Sequence, residues 1–117
     1  MVSRETLVRL PNAENAVVEI AKLRDYCLSA VHPVGKHKAR VFAARLGITI
    51  AHAELLQAAL LQAAQEEDVI AGAQDTYGQR YTLDFAMIGP SGSAIIRSGW
   101  IVRANEDFPR LTTCYVL

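Results

Sequence analysis

The densest group of basic side chains lies in one short stretch, HPVGKHKAR, which runs from His32 to Arg40. It holds two histidines, two lysines and one arginine, and it contains no acidic residue. Such a set can bind an anion such as a phosphate, because the cations attract its charge and histidine exchanges protons near neutral pH. The same composition is typical of the solvated face of a helix, which is the simpler interpretation of the stretch taken alone.

A helix is expected to carry most of this stretch, from Lys36 to Gly47, with the glycine as its C-cap. Lys36 and Arg40 would lie on one flank of its buried stripe, Lys38 on the other flank, and His37 would point away from the stripe. Lys38 is an unusual residue so near a helix N-terminus, where the helix dipole disfavours cations. An anion bound at that turn would be stabilised by both the lysine and the free backbone N–H groups.

The second half of the chain has the two-residue period of half-buried strands. In QRYTLDFAM, large apolar side chains from Tyr81 to Met87 alternate with smaller or polar ones, and AIIRSGWIVR and RLTTCYVL follow after turns at IGPSGS and ANEDFP. A weaker strand, DVIAGAQ, precedes them. The sequence therefore predicts an α+β fold, with about three N-terminal helices packed on one face of a roughly four-stranded antiparallel meander sheet.

The clearest helical pattern, AHAELLQAALLQAAQEE, predicts one buried face. That face is formed by Leu55, Leu56, Ala59, Leu60 and Ala63. We expect Leu55, Leu56 and Leu60 to pack, together with Phe42, against the inward side of the strands. The inward strand residues are predicted to be Tyr81, Leu83, Phe85 and Trp100.

The other side of the sheet carries polar residues that could bind an anion. Arg97 could bind a phosphate bidentately, or it could pair with Asp84 as a cross-strand ion pair. Gly99 inside the same strand indicates a β-bulge or a close approach by another group. Thr112 and Thr113 are expected to point to opposite faces, so that one of them shares the face of Arg97.

Composition places the chain among globular proteins of one domain, residues 1–117, in which residues 1–10 could form a flexible arm. The net charge is zero, from 12 basic and 12 acidic residues. No apolar run reaches the length of a membrane span, and the first residues do not resemble a signal peptide, so we expect a cytoplasmic protein without a membrane partner. Cys27 and Cys114 are expected to be a reduced pair of thiols.

No metal or cofactor is predicted. His32 and His37 lie five residues apart across a proline, with no third ligand at metal spacing. GPSGS lacks the lysine and the helix of a phosphate-binding P-loop.

Several segments resemble a bacterial family catalogued as a domain of unknown function. They are LPNAENAVVEIAKLRDYCL, HPVGKHKARVF, YGQRY, IGP, RSGWIV and PRLTTCYVL. The resemblance covers nearly all of residues 10–117. Members of that family occur as small free-standing proteins and as C-terminal domains of large polymorphic toxins. Its pattern marks Lys36, Lys38, Trp100 and Thr113.

The predicted order of helices followed by an antiparallel meander is similar to the layout of RelE-type, colicin D-type and EndoU-like ribonuclease toxins. This resemblance implies a toxin that cleaves RNA without a metal and that a cognate antitoxin or immunity protein neutralises. A protein delivered as part of a larger toxin would act in the cytoplasm of a target cell.

The leading hypothesis is therefore a metal-independent RNA endonuclease, in which the ribose 2′-hydroxyl attacks the adjacent phosphate and leaves a cyclic phosphate. His37 would act as base or acid, Lys38 and Arg97 would stabilise the transition state, and Thr113 would orient the phosphate. Flanking phosphates would contact Lys36, Arg40 and Arg80.

The alternative is a non-catalytic protein-interaction domain. The high apolar fraction, the outward Leu61 and the open edges expected of the sheet favour this alternative. Harmless expression of the free protein, without loss of cellular RNA, would distinguish it from a ribonuclease.

Overall fold

The second half of the chain, with its alternating pattern, forms the long strands of a five-stranded antiparallel sheet. The computed structural model describes residues 7–117. The strands lie across the sheet in chain order. They are β1 (Leu7–Arg9), β2 (Asp68–Asp75), β3 (Gly78–Gly89), β4 (Gly92–Arg103) and β5 (Pro109–Val116).

The helices lie between β1 and β2 in the chain. They are α1 (Ile20–Lys22), which continues as a π-helical turn (Leu23–Cys27), α2 (Lys36–Leu46) and α3 (Ala53–Glu66), with short 3₁₀ turns at Ala13–Asn15 and Ile50–His52. Among the described residues, no single helix is long and apolar enough to cross a membrane. The helices Lys36–Leu46 and Ile50–Glu66 have the required length and composition only when they are taken together, and they are bent by 73° at the break between them.

The expected position of the helices and the expected number of strands are wrong. β1 precedes the helices and pairs with β2, with Leu7 opposite Ile70. The helices are thus in the middle of the chain, and the sheet has five strands rather than about four. A strand of three residues is too short to show a period, and long-range contacts hold it: Arg9 Nη1 donates to the Glu66 carbonyl at 3.0 Å. Residues 1–6 of the expected arm lie outside the described residues.

The predicted phases of β3 and β4 are confirmed. One hydrophobic core contains Leu83, Phe85, Trp100, Phe42, Leu56 and Leu60, and Tyr81 packs against it half-buried. The expectation for Leu55 is wrong, because its side chain is 47% exposed. The face of α3 that meets the core is turned toward Ala64, which is buried, and away from Leu55.

A β-bulge between β4 and β5 confirms the expectation for Gly99. Gly99 lies opposite Thr113, whereas Trp100 lies opposite Leu111, so that Thr112 is an extra residue in β5. A Cβ at Gly99 would come within 2.9 Å of Thr112 Oγ1 and 3.5 Å of Thr113 Cγ2. Both threonines therefore lie on the side of Gly99. The prediction that they face opposite sides is wrong, because a bulge resets the alternation of side chains.

Ser98 connects the core of β4 to β3, and its replacement tests the packing of the sheet. Its buried Oγ donates to the Leu83 carbonyl at 2.8 Å and accepts from Trp100 Nε1 at 2.9 Å. Ser98→Ala leaves both groups buried without this partner, so we expect the free energy of unfolding in urea to fall by about 1–3 kcal/mol. Ser93→Ala, at an exposed position of the same strand, is the control and should change it little. Equal stability of the two variants would contradict the role given to Ser98.

Candidate functional site

The sheet has one face covered by the helices and one open face, which we call the outer face. Residues that pair directly across antiparallel strands share a face. Two rows of the outer face run across β3, β4 and β5. One row is Thr82, Gly99 and Thr113, and the next row is Asp84, Arg97 and Tyr115.

Lys38 reaches the outer face around the edge strand β5. Its Nζ donates a hydrogen bond to Thr113 Oγ1 at 3.0 Å. The same Nζ lies 5.0 Å from the ring centre of Tyr26 and 5.4 Å from that of Tyr115, within the range of cation–π attraction. The flank of α2 that carries Lys38 therefore meets the open side of the sheet.

A second ammonium group lies at the same bulge. Lys22 Nζ is 3.5 Å from the Thr112 carbonyl oxygen, so the two lysines contact adjacent residues of β5. Their positive charge extends to the buried thiols below. The interaction with Cys114 lowers the pKa of Cys27, and Lys38 and Lys22 lower it further, against the effect of burial. The same interaction, together with burial, raises the pKa of Cys114.

The basic residues divide into two groups by whether an acid accompanies them. In the part of the chain from 7 to 117, six arginines have a carboxylate oxygen within 4.0 Å: Arg9, Arg24, Arg80, Arg97, Arg103 and Arg110. Five bases of the same part have none within that distance: Lys22, Lys36, Lys38, Arg40 and Arg45. All five belong to α1 or α2, and two of them, Lys22 and Lys38, contact β5, where their positive charge would attract an anion.

Arg97 forms the cross-strand ion pair that the sequence left open. Its Nε and Nη2 donate to the two carboxylate oxygens of Asp84 at 2.9 and 2.8 Å. These hydrogen bonds raise the pKa of Arg97, and Tyr115 contributes in the same direction. Arg97 is therefore a fixed cation beside Tyr115 whose charge is largely matched by Asp84.

Two of the three histidines are used by the backbone. His32 Nδ1 accepts the N–H groups of Val34 and Gly35 at 3.0 and 2.9 Å, at the start of α2. His52 Nδ1 accepts the Thr49 N–H at 3.0 Å, as part of a capping box. These roles fix the two rings and occupy one nitrogen of each.

His37 differs from the other two histidines. Its side chain is exposed, and no hydrogen bond of its ring is found within the described residues. With Lys38, Val41, Tyr115 and Val116 it lines a shallow groove of about 260 Å³ between α2 and β5. Of the three, His37 has the ring most available for proton transfer, and it lies beside Lys38.

The remaining predicted residues lie apart from Lys38 and Thr113. Lys36 and Arg40 line a separate hollow of about 340 Å³ on the other flank of α2. Arg80 lies two residues along β3 from Thr82, at one end of the outer face. Trp100, which the family pattern marks, is a core residue and does not contact the site.

Lys22, Tyr26 and Tyr115 were missed by the sequence analysis. Tyr115 had a signal, since it follows Thr113 by two residues on one strand and must share its face. Lys22 and Tyr26 are one helical turn apart, but nothing local shows that α1 ends against β5.

The side chains of this site are of the types that bind anions. Among residues 7–117, no three His, Cys, Asp or Glu side chains are grouped as metal ligands. The side chains at the β5 edge supply two ammonium groups, a threonine hydroxyl, two phenols and one imidazole. They can hold a phosphate, donate hydrogen bonds to its oxygens and exchange protons with groups bound to it.

Comparison with known proteins gives a relative in fold and a family. The fold is similar to that of a chain in the contact-dependent growth inhibition toxin–immunity protein complex from Klebsiella pneumoniae 342, with a TM-score of 0.69 and 21% identity over 86% of this chain and 99% of that chain. No curated protein matches. The model of a family described as a domain of unknown function, DUF6883, matches residues 9–117. The chain therefore belongs to the DUF6883 family.

Proposed function

We propose that this domain is the RNA-cleaving toxin of a toxin–immunity system. The observation that carries the proposal is the placement of Lys38, whose Nζ is held on Thr113 Oγ1 at 3.0 Å at the edge of an open sheet face. No carboxylate within the described chain lies within 4.0 Å of this ammonium group, so its charge is available to a phosphate. The fold shared with a chain of a toxin–immunity protein complex supports the class of protein.

In the proposed reaction, the ribose 2′-oxygen loses its proton and attacks the adjacent phosphorus. The bond from phosphorus to the 5′-oxygen breaks, the 5′-oxygen takes a proton, and the other product ends in a 2′,3′-cyclic phosphate. Lys38 and Lys22 stabilise the negative charge that grows on the phosphate oxygens, and Thr113 orients the phosphate. His37 exchanges the proton as base or acid.

Arg97 contributes differently from the two lysines. Because two of its N–H groups are committed to Asp84, its direct share of the transition-state charge is smaller than that of Lys38. Its remaining N–H groups lie beside Tyr115 and can contact a phosphate that crosses the outer face. Lys36, Arg40 and Arg80 attract flanking phosphates from their separate positions.

A cognate immunity protein is the proposed partner. A protein that covers the β5 edge must match the ammonium groups of Lys22 and Lys38, which no carboxylate of the described chain accompanies. We therefore expect its contact surface to be rich in Asp and Glu, since like charges across an interface cost several kcal/mol.

Replacing Lys38 by methionine tests the proposed reaction. Lys38→Met keeps most of the stem between the two tyrosine rings and removes the charge. The loss of one transition-state donor typically lowers the rate roughly a hundred- to a thousandfold, so we expect a loss of that order in RNA cleavage by the purified protein. The matched control is Arg45→Met, which removes a charge at the other end of the same helix, where the Arg45 carbonyl lies close to Gly92. This variant should cleave at nearly the wild-type rate.

Thermal unfolding of both variants separates loss of chemistry from loss of fold. A Lys38→Met protein that is folded and cleaves RNA as fast as Arg45→Met would contradict the role of Lys38.

Salt should weaken RNA binding, because the contacts are ionic. For about three phosphate contacts on a single strand, the affinity should fall roughly twentyfold between about 50 and 200 mM salt. Fluorescence anisotropy with a 2′-O-methyl oligonucleotide, which lacks the nucleophile, measures this without cleavage. Affinity that does not change over this range would remove the argument for an anion site.

The second candidate function is a non-catalytic interaction domain, and the free part of β3 favours it. The paired part of β2 and β3 begins at Ile70 opposite Thr82, and β2 begins at Asp68, so residues 85–89 have no strand of the described chain on that side. A groove of about 350 Å³ runs beside them along α3, and the exposed Leu55 and Ile88 line it. An extended partner segment could add there as a strand. If cells that express the free protein keep growing and their RNA stays intact, this function is favoured.

A further inference from the structure

A pocket of about 520 Å³ lies on the outer face where the β2–β3 and β4–β5 turns meet. A size of this order is typical of small-molecule sites. Ile101, which is 7% exposed, gives the pocket an apolar floor, and the walls combine one aromatic ring, one amide, two guanidinium groups and two threonine hydroxyls. The residues that supply these groups are Thr76, Tyr77, Arg80, Arg103, Asn105 and Thr112.

Tyr77 is held in place by its backbone while its ring faces solvent. Asp75 Oδ1 accepts the N–H groups of Tyr77 and Gly78 at 2.8 and 3.3 Å, and the Tyr77 carbonyl accepts the Ala104 N–H at 3.0 Å. The side chain is nevertheless 72% exposed. A fixed, exposed aromatic ring is suited to stacking on a flat ring, because little conformational entropy is lost on binding.

The two arginines of the pocket retain N–H donors. Arg80 Nε is 3.7 Å from Asp75 Oδ2 and Arg103 Nε is 3.9 Å from Glu106 Oε1, beyond hydrogen-bond distance. By contrast, Arg97 on the same face contacts its carboxylate at 2.8 Å. Both arginines of the pocket therefore carry charge with only loose compensation, and a guanidinium matches the geometry of a phosphate.

The pocket adjoins the candidate site through β5. Thr112 lines the pocket, its carbonyl lies near Lys22 Nζ, and the next residue, Thr113, accepts from Lys38. We infer that the pocket binds one nucleotide of a single-stranded RNA whose neighbouring phosphate lies at Lys38. The base of this nucleotide stacks on Tyr77, and Asn105 contacts the polar edge of the base. Arg80 and Arg103 contact the phosphate of the same nucleotide. This inference rests on the proposed function and adds to it a subsite that selects the base.

Binding of labelled 2′-O-methyl hexanucleotides, measured by anisotropy, tests the subsite without cleavage. Because the base loses its stacking partner, Tyr77→Ala should weaken RNA binding roughly five- to a hundredfold. Tyr77→Phe keeps the ring and should bind within about twofold of wild type. Asn105→Ala should change the order of affinity among the A, C, G and U homopolymers. Ile95→Ala is the control, because Ile95 is exposed about 20 Å along β4 from Ile101.

The outcomes separate the subsite from the function on which it rests. If Tyr77→Ala binds as tightly as wild type and Lys38→Met binds more weakly, the pocket is not a nucleotide subsite and the phosphate site stands. If the wild-type protein binds none of the hexanucleotides, both proposals are wrong. If Tyr77→Ala binds more weakly but Asn105→Ala keeps the wild-type order of affinity among the homopolymers, Asn105 does not select the base.

Discussion

The β-bulge at Thr112 and Thr113 is the constraint on which the arrangement of the site depends. The bulge is possible because Gly99, directly opposite, has no side chain. A Cβ at this position would lie only 2.9 Å from Thr112 Oγ1. The bulge turns both threonines toward the outer face while Leu111 and Cys114 on either side remain in the core. The edge of β5 thereby presents a carbonyl and a hydroxyl to helices that pack on the opposite face, and Lys22 and Lys38 meet there. Bulges are common next to active sites for this reason, since they re-aim side chains without opening the core.

Charge is distributed so that this edge stays positive although the whole chain is neutral. In the described chain, the acidic residues that form ion pairs do so with arginines. Most of these arginines belong to the sheet or to its connections, as in the pairs of Asp84 with Arg97 and of Glu106 with Arg110. The bases of α1 and α2 are left without such partners, and two of them are held by contacts with β5. An ammonium group without a carboxylate partner costs little folding free energy here, because it lies at the surface. The rings of Tyr26 and Tyr115 also attract the charge of Lys38 through cation–π interactions.

Local patterns predicted what local physics determines. The two-residue period set the inward residues of β3 and β4, Gly47 ends α2 in the left-handed conformation with φ 71°, and Gly99 marked the bulge. Contacts between distant segments were not predictable in this way. Neither the pairing of Leu7 with Ile70 nor the approach of Lys22 to Thr112 has a signature in neighbouring residues. Leu55 was misassigned because a helical stripe gives the buried arc only to within about one residue. The acceptor roles of His32 and His52 depend on turn geometry, which the sequence pattern does not reveal.

Transesterification of RNA at the β5 edge would leave chemically distinctive product ends, and their identification is the most direct test of the proposed reaction. Purified wild-type protein would be incubated with total RNA, with and without EDTA, and the new termini would be identified by their reactivity toward phosphatase, kinase and ligase. We expect 2′,3′-cyclic phosphate and 5′-hydroxyl termini in both conditions, because the proposed nucleophile is the 2′-oxygen and the proposed stabilising cations are lysines. RNA that stays intact, or fragments with 5′-phosphate and 3′-hydroxyl termini, would contradict the proposed reaction.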